Sequence, residues 1–362
     1  MKVMHVVGNR PQFIKLAPVS RELRKKNIEE IIIHTGQHYD ENMSDVFFEE
    51  LDIPKPAKNL EIGSGTHAET TARALLELEK VMCEFKPNCI LIYGDTNSTL
   101  AATLVASKLL IPLIHIEAGP RTYNKKNPEE CNRIVADHLS TILCAPDRNS
   151  VNNLLNEGIN KNNIYFTGDV MYDEFLYCAS QKVKYDKFKN FPEDYILLTW
   201  HRQENTSTKE RMENMIDFLE RINYPIIFPI HPRTRKMLQQ YELENKIKKL
   251  SHLVLIEPVG YMEMVWLINK CKLLISDSGG ASKEASFANK KCIYTLDLKV
   301  WPELIESGHI QIVNVDEESS VKNTIEEIYK ILQQKESVKT VEFFGDGSAS
   351  KKIADIVEKF LE

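Results

Sequence analysis

The sequence predicts an α/β protein made of two doubly wound, Rossmann-like domains that face each other across a cleft. Short apolar runs rich in β-branched residues alternate with longer amphipathic segments, and this alternation restarts near residue 195. The chain of 362 residues also exceeds the size at which a single core usually stops growing. Because successive strands joined by helices run parallel, the alternation predicts two mostly parallel sheets with helices on both faces.

The first half of the chain carries six apolar runs that are typical of buried strands. They are KVMHVVG, EEIIIHTG, NCILIYGD, IPLIHIEAG, TILCAP and NIYFTGD. Helices are predicted between them at PQFIKLAPVSRELRKK, HAETTARALLELEKVM, residues 98–110 and RNSVNNLLNEG. Ligands of doubly wound sheets bind beyond the carboxyl ends of the strands, so functional residues are expected there.

The second half repeats this pattern. Its strands are predicted at DYILLTWH, YPIIFPIHP, HLVLIEP, KLLISD, KKCIYTL and HIQIVN, and its helices at STKERMENMIDFLERI, YMEMVWLINKC and GGASKEASFAN. The predicted domains are residues 1–168 and 169–345. The last helix, within residues 346–362, is expected to pack back on the first domain because its apolar residues have helical spacing.

Charge and cysteine content exclude several classes of protein. Lys and Arg total 46 against 52 Asp and Glu, a formal charge of -6, which disfavours a nucleic-acid binder. The seven cysteines are scattered and never form a CxxC pair, so buried thiols in a reduced, cytoplasmic protein are expected. No apolar run approaches the roughly 18 residues of a membrane span, so no membrane partner is expected.

The first predicted strand ends in GNRPQFIK, which places Arg10 and Lys15 at a helix entrance. A helix N-terminus with two cations suits a diphosphate. The alternative is a capped helix with solvated charges. A nearby GSGTHA formally resembles a dinucleotide fingerprint, but it follows a proline-containing connection rather than the first strand, which disfavours a nicotinamide cofactor.

Carboxylates follow two further strands of the first half. Asp95 comes directly after NCILIYG and Glu117 directly after IPLIHI. If these strands are neighbours, the two carboxylates lie close together and raise one another's proton affinity, as acid–base catalysis requires. Glu129 opens a helix with Arg133 four residues on, which is also the spacing of a surface ion pair. Glu130 is expected to be an exposed neighbour.

The second half places histidines, arginines and glycines at its strand ends. WHRQEN supplies His201 and Arg202, and IHPRTR supplies His231; histidines followed by arginines indicate an anion site. SDSGGASKEA leads from a strand directly into a helix, where Ser278, Gly279 and Gly280 let a backbone approach a phosphate, and Glu284 one turn later suits ribose hydroxyls. The lysine of an NTP-hydrolysing loop is missing, so a nucleotide sugar is favoured.

Nine motifs occur together in this order over nearly the whole chain. They are GNRPQFIKLAPV, HTGQHYDENM, YGDTNSTLA, HIEAG, NPEECNR, WHRQEN, HPRTR, EPVGYMEMVWL and DSGG. The set resembles the non-hydrolysing UDP-N-acetylglucosamine 2-epimerase family. The resemblance implies the glycosyltransferase type B fold, a homodimer, no cofactor and no metal, and interconversion of UDP-GlcNAc and UDP-ManNAc through 2-acetamidoglucal.

The resemblance also implies roles for individual residues. Asp95, Glu117 and Glu129 match the acid–base carboxylates, and His201 assists at the junction of sugar and diphosphate. The residues that match or are assigned to substrate binding are Arg10, Lys15, Arg133, Arg202, His231, Val259, Met264, Ser278, Gly279, Gly280 and Glu284. Among them, Glu284 matches the ribose-binding glutamate, and Val259 and Met264 lie beside the expected uracil site.

Some positions depart from the family pattern. Leu296 and Trp301 stand where arginines are frequent, which is expected to weaken diphosphate binding or to alter substrate choice. Trp301, together with RPQFIK, HTGQHYDENMS and GDVMYD, resembles the relatives that act on UDP-2,3-diacetamido-2,3-dideoxyglucuronate, which is the close alternative. A type B glycosyltransferase, a hydrolysing epimerase and an inactive UDP-sugar binder are further alternatives. Allosteric activation by substrate, known in some relatives, is also left open, because GQHYDENM differs from the corresponding stretch of those relatives. His38 in this stretch is expected to be structural.

Overall fold

The computed structural model describes residues 1–36, 48–181, 185–296, 301–333 and 342–362. It forms two compact units. One comprises Met1–Leu176 and Glu342–Glu362, and the other comprises Tyr177–Val341. Each unit is a parallel α/β sheet with its own core.

The strands of the first unit are β1 (Lys2–Val7), β2 (Glu29–His34), β3 (Lys58–Asn59), β4 (Cys89–Tyr93), β5 (Leu113–Ile116), β6 (Ile142–Ala145) and β7 (Ile164–Phe166). They pair in the order β3-β2-β1-β4-β5-β6-β7, and every pairing is parallel. All six predicted strands of this half are present. The edge strand β3 was not predicted, because two exposed residues carry no apolar pattern.

The strands of the second unit are β8 (Ile196–Thr199), β9 (Ile226–Pro229), β10 (Leu253–Ile256), β11 (Leu273–Ser276), β12 (Lys291–Tyr294) and β13 (Ile310–Ile312). They pair in parallel in the order β10-β9-β8-β11-β12-β13. This is the doubly wound order, in which the winding direction reverses between the first and fourth strands. The corresponding reversal in the first unit lies between β1 and β4.

The helices fill the connections between the strands. In the first unit they are Arg10–Lys25, His67–Phe85, Asn97–Lys108, Pro128–Leu139, Arg148–Asn156 and Ala349–Leu361, and Val170–Ser180 crosses the division between the units. In the second unit they are Gln203–Thr206, Lys209–Glu220, Pro232–Gln240, Glu244–Lys248, Tyr261–Lys270, Gly279–Phe287, Pro302–Glu306 and Glu318–Gln333. Within the described ranges, none of the helices has the length and apolar character needed to cross a membrane.

The last helix, Ala349–Leu361, belongs to the first unit. Lys26 pairs with Asp355 at 2.7 Å and with Glu358 at 2.6 Å on this helix. At the other end of the helix, the Asp173 carboxylate accepts hydrogen bonds from the backbone N–H of Ala349 at 3.1 Å and of Ser350 at 2.7 Å. The C-terminal segment is therefore fastened to the first unit at both of its ends.

The turn after β5 depends on Gly119, whose φ is 91°. A Cβ built there would lie 2.5 Å from the backbone oxygen of Ser150, so an alanine has no room. Gly158 has a similar φ of 81°, but among the described residues no atom lies within 4 Å of its Cβ position. Both glycines have a left-handed backbone, but only Gly119 is also closely packed, so a comparison of the two measures the effect of packing separately.

We expect Gly119→Ala to destabilise the protein more than Gly158→Ala does. Gly158→Ala should cost about 1–2 kcal/mol of unfolding free energy, the cost of a left-handed conformation. Gly119→Ala should cost roughly 1–3 kcal/mol more, because the backbone of the helix Arg148–Asn156, which carries Ser150, must move. Urea unfolding followed by circular dichroism measures both. Equal losses would show that the Ser150 contact is unimportant.

Candidate active site

The ends of β4 and β5 bring two predicted carboxylates to one edge of the first sheet. The strands pair in parallel with Tyr93 opposite Ile116, so Asp95 and Glu117 leave the sheet side by side. Glu117 has a φ of 66°, which a residue other than glycine rarely adopts and which often marks a functional site. The predicted neighbour relation of these strands is confirmed.

A cation lies beside each of these carboxylates. Lys15, on the helix after β1, forms an ion pair with Glu117, and both side chains are largely buried. Arg133, on the helix Pro128–Leu139, lies 2.5 Å from the Asp95 carboxylate. Burial alone would lower the pKa of Arg133, but the charges and hydrogen bonds around it, including the charges of Asp95 and Glu117, raise it on balance. We call Lys15, Asp95, Glu117 and Arg133 the carboxylate cluster.

Glycine and backbone contacts leave room for this cluster. A Cβ at Gly94 would lie 2.9 Å from the Lys15 ammonium and 3.3 Å from the Glu117 carboxylate. Asn132 donates a hydrogen bond of 2.9 Å to the backbone oxygen of Asp95 and so fixes that turn. The cluster thus draws on two strand ends and on two helices, a combination that no single sequence motif reveals.

Gln12 is a buried polar residue that was not among the predicted site residues. Its side chain accepts a hydrogen bond of 2.7 Å from the Gly8 N–H and donates one of 2.8 Å to the backbone oxygen of Tyr93. It therefore joins the turn after β1 to the end of β4. Arg10, two residues earlier, is exposed at the first position of its helix, where Asn9 is the N-cap. The only signal for Gln12 was its place in GNRPQ.

The prediction for Glu130 was wrong. Glu130 is 2% exposed, and its carboxylate accepts hydrogen bonds from the backbone N–H groups of Thr122 and Tyr123 at 3.0 and 2.7 Å. It also accepts one from the Thr122 hydroxyl at 2.9 Å and pairs with Arg133 at 2.9 Å. Glu129, by contrast, is exposed in the first turn of the same helix. Arg133 pairs with Glu130 and Asp95. The alternative of a surface ion pair between Glu129 and Arg133 is therefore not the arrangement in the described residues.

The second unit gathers its predicted residues around a buried aspartate that was not predicted. Asp277 directly follows β11 and is fully buried. Its carboxylate accepts hydrogen bonds from the backbone N–H groups of His201 at 2.9 Å and Arg202 at 2.8 Å. The His201 ring lies 3.3 Å from the same carboxylate and 5.1 Å, between centroids, from the ring of His231. Asp277 had the same signal as Asp95, an acid directly after an apolar run.

The loop after Asp277 is built as the start of a helix. Ser278 is the N-cap of the helix Gly279–Phe287 and accepts a hydrogen bond of 3.3 Å from the Ala281 N–H. Among the described residues, the atom closest to a Cβ at Gly280 is the Ser278 hydroxyl at 3.9 Å, so the loop is open on that side. Glu284 is buried one turn later. Val259 and Met264, at the start of the helix Tyr261–Lys270, are half-buried.

Trp301 contacts this loop, whereas Leu296 is buried in the core. The Trp301 indole donates a hydrogen bond of 2.8 Å to the Gly279 oxygen, and the Lys283 ammonium lies 4.4 Å from the centre of its ring. Leu296 is 3% exposed and lies in the core. One of the two departures from frequent arginines therefore places an aromatic ring against the glycine loop.

Two other predictions concern His38 and the segment GSGTHA. His38 lies outside the described residues. GSGTHA forms the cap of a helix, because Thr66 accepts a hydrogen bond from the Glu69 N–H and the Glu69 carboxylate accepts one from the Thr66 N–H. In the part of the chain that is described, no group of three or more His, Cys, Asp and Glu side chains is arranged to hold a metal ion.

Two doubly wound parallel units, with paired carboxylates and cations in one and an open glycine loop at a helix start in the other, define the class of nucleotide-sugar enzymes. A model of the UDP-N-acetylglucosamine 2-epimerase family matches residues 21–358. The chain belongs to this family.

Individual relatives agree with the family match. A UDP-N-acetylglucosamine 2-epimerase homolog of Methanococcus maripaludis is 45% identical, over 99% of each chain. The UDP-2,3-diacetamido-2,3-dideoxy-D-glucuronate 2-epimerase of Pseudomonas aeruginosa is 40% identical, over 99% of this chain and 100% of that one. The crystal structure of the Methanocaldococcus jannaschii UDP-GlcNAc 2-epimerase in complex with UDP-GlcNAc and UDP has a TM-score of 0.87 and 40% identity, over 99% of this chain and 100% of that one.

These comparisons confirm the family resemblance and the predicted fold class of two doubly wound α/β units of the glycosyltransferase B type. They also confirm the class of enzyme, an isomerase of the nucleotide-sugar 2-epimerase kind. The roles of the individual site residues stay predictions.

The buried Glu130 should stabilise the fold, whereas its exposed neighbour Glu129 should not. Burial alone would raise the pKa of the Glu130 carboxyl, but the hydrogen bonds from Thr122, Tyr123 and Arg133 lower it below its ordinary value. Glu130→Gln should therefore reduce the free energy of unfolding at pH 7 by roughly 1–3 kcal/mol, since one of the two acceptor oxygens becomes an NH2 group and its donors are left without an acceptor. Glu129→Gln should change it by less than about 0.5 kcal/mol.

The effect of Glu130 should also depend on pH. A carboxyl whose pKa is lower in the folded than in the unfolded state stabilises the fold while it is ionised, and this stabilisation is lost as the pH falls through the folded-state pKa. The stability difference between wild type and Glu130→Gln should thus shrink below about pH 4.5, near the ordinary pKa of glutamate. Urea titrations at a series of pH values measure it. A difference that persists in acid would contradict the assignment.

Proposed function

We propose that the protein is a non-hydrolysing UDP-GlcNAc 2-epimerase that interconverts UDP-GlcNAc and UDP-ManNAc. The observation that carries the proposal is the carboxylate cluster, in which Asp95 and Glu117 leave adjacent strands with a cation beside each. Membership of the family and the activities of the similar proteins support it. The proposal assigns a proton-transfer reaction to the first unit and nucleotide binding to the second.

The reaction needs the kinds of group that the chain supplies. The proton on C2 of the sugar is not next to a carbonyl and is barely acidic. Its removal therefore accompanies cleavage of the C1–O bond, in which UDP leaves with the electron pair and C1=C2 forms in 2-acetamidoglucal. UDP then adds back to C1 while C2 receives a proton on the opposite face. Placed carboxylates serve the proton transfers, and cations and helix starts stabilise the departing diphosphate.

In this proposal Asp95, Glu117 and Glu129 transfer the protons. Lys15 and Arg133 hold Glu117 and Asp95 in place, a use that the contacts favour over the direct substrate binding expected from the sequence. Glu129 is the one proposed catalytic carboxylate that is exposed, so it is free of the buried hydrogen bonds that hold Glu130.

The second unit would bind the nucleotide. The backbone N–H groups of Gly279 and Gly280 lie in the first turn of the helix Gly279–Phe287, next to its N-cap Ser278, and negative charge is stabilised there. Further roles are proposed for the remaining predicted residues: His201, Arg202, His231 and Arg10 at the phosphates, Glu284 at the ribose, and Val259 and Met264 beside the uracil. Asp277 holds the backbone that carries His201 and Arg202, so it is a positioning residue in this account.

UDP-2,3-diacetamido-2,3-dideoxyglucuronate is the second candidate substrate. The 40% identity to the Pseudomonas aeruginosa 2-epimerase of that sugar supports it, and the aromatic Trp301 beside the glycine loop is consistent with a changed preference. Both candidates share the same chemistry at C1 and C2. They differ in the groups on C3 and C5 of the sugar.

Proton NMR in deuterated water tests the function and separates the two substrates. Incubation with UDP-GlcNAc should yield UDP-ManNAc that carries deuterium at C2, and the uronate should be unchanged. Turnover of the uronate alone would select the second candidate. Free ManNAc accumulating with UDP would indicate a hydrolysing enzyme, and no exchange in either sugar would contradict the proposal.

We also propose a cytoplasmic homodimer. Cys83, Cys89, Cys131, Cys144, Cys271 and Cys292 are free thiols in the described ranges, which is consistent with a reducing compartment. Light scattering coupled to gel filtration tests the assembly, because the monomer mass is 41.7 kDa. A monomeric mass at micromolar concentration would contradict the dimer.

Glu117→Gln should slow turnover without abolishing nucleotide binding. Loss of a positioned acid–base group typically reduces turnover by about a hundredfold or more, whereas the dissociation constant for UDP should change only a few fold. Isothermal titration calorimetry and the C2 exchange rate measure the two effects. Glu79→Gln, an exposed substitution on the helix His67–Phe85, is the control and should leave both unchanged. Near-native turnover of Glu117→Gln would remove Glu117 from the mechanism.

A further inference from the structure

A buried histidine connects the two turns that carry the catalytic carboxylates. His115 lies on β5 and is 1% exposed. Its Nε2 lies 2.8 Å from the backbone oxygen of Gly94, and its Nδ1 lies 2.7 Å from the Asp137 carboxylate. Both partners are oxygen acceptors, so the ring is held between them through N–H donation.

Asp137 extends this network to the turn after Glu117. Its second carboxylate oxygen accepts a hydrogen bond of 3.1 Å from the Gly119 N–H and lies 2.7 Å from the Arg121 guanidinium. Burial alone would raise the pKa of Asp137, but His115 and Arg121 lower it on balance, so the carboxylate is ionised. One side chain therefore holds the turn that follows Glu117 while it orients His115.

Arg121 closes the network on its outer side. Its buried guanidinium donates to both oxygens of Glu157, at 2.7 and 2.8 Å, and to the Pro120 oxygen at 2.8 Å. The buried charges of Asp137 and Arg121 are therefore paired with each other, and Arg121 is also paired with the partly exposed Glu157. Such pairing is required, because an isolated buried charge is costly.

We propose that His115, Asp137 and Arg121 are positioning residues for the epimerisation, and this inference rests on the proposed function. The Gly94 oxygen directly precedes Asp95, and the Gly119 N–H follows Glu117 by two residues. The network therefore fixes both turns relative to each other. An error of about 1 Å in the placement of a catalytic group costs up to about a hundredfold in rate, so disturbing the network should lower turnover more than binding.

Two amide substitutions of His115 separate positioning from general stability. The terminal amide of Gln reaches the place of Nε2 and still donates to the Gly94 oxygen, whereas the shorter Asn reaches only the place of Nδ1. Both remove the buried ring, so both should lower the melting temperature by similar amounts. We expect His115→Gln to keep turnover within about tenfold of wild type and His115→Asn to lose about a hundredfold, with KM within a few fold for both.

The C2 exchange assay gives kcat and KM for wild type and both variants, and differential scanning calorimetry gives their melting temperatures. Equal turnover of the two variants, or a loss that appears in KM alone, would overturn the positioning role. If neither His115 variant folds, Glu157→Gln serves instead, because its carboxylate lies at the partly exposed outer end of the network. It should lower kcat several fold at unchanged KM, and an unchanged kcat would overturn the proposal.

The wild-type result distinguishes the two levels of inference. A wild type that exchanges no deuterium with any of the UDP-sugars contradicts the proposed function and, with it, the positioning role. A wild type that exchanges deuterium while His115→Asn keeps full turnover contradicts the positioning role alone.

Discussion

The parallel pairing of β4 with β5 is the constraint on which the candidate active site depends. Tyr93 lies opposite Ile116, so the next residues of both strands leave the sheet at one edge. Both strands are fully buried, and their pairing is held by the core and not by the site. Apolar burial therefore brings two carboxylates together that would otherwise repel each other.

Opposite charges then make this arrangement tolerable. Lys15 comes from the helix after β1, and Arg133 from the helix that precedes β6, so the two cations reach the carboxylates from different elements. Glu130 and Asn132 fix the helix that carries Arg133 and the turn that carries Asp95. Asp277 plays the comparable part in the second unit, where it holds the backbone of His201 and Arg202.

The strands and the strand-end residues were predictable because their signals are local. A buried strand of a parallel sheet is an unbroken apolar run, and Asp95 and Glu117 directly follow such runs. Local signals could not show which of Glu129 and Glu130 is buried. They are adjacent in sequence at a helix start, and only the path of residues 121–127, which returns backbone N–H groups to Glu130, decides which of them is buried. The network of His115, Asp137 and Arg121 was not predicted for the same reason, since its members lie on a strand, a helix and a loop that are distant in sequence.

In the proposed reaction, Asp95 and Glu117 act directly on the sugar of a UDP-sugar. A crystal structure of the protein with UDP and 2-acetamidoglucal bound is the decisive measurement. We expect a carboxylate oxygen of Asp95 or Glu117 within about 3.5 Å of C2, the separation of reacting atoms in a productive complex. A sugar ring bound out of contact with both carboxylates would contradict it.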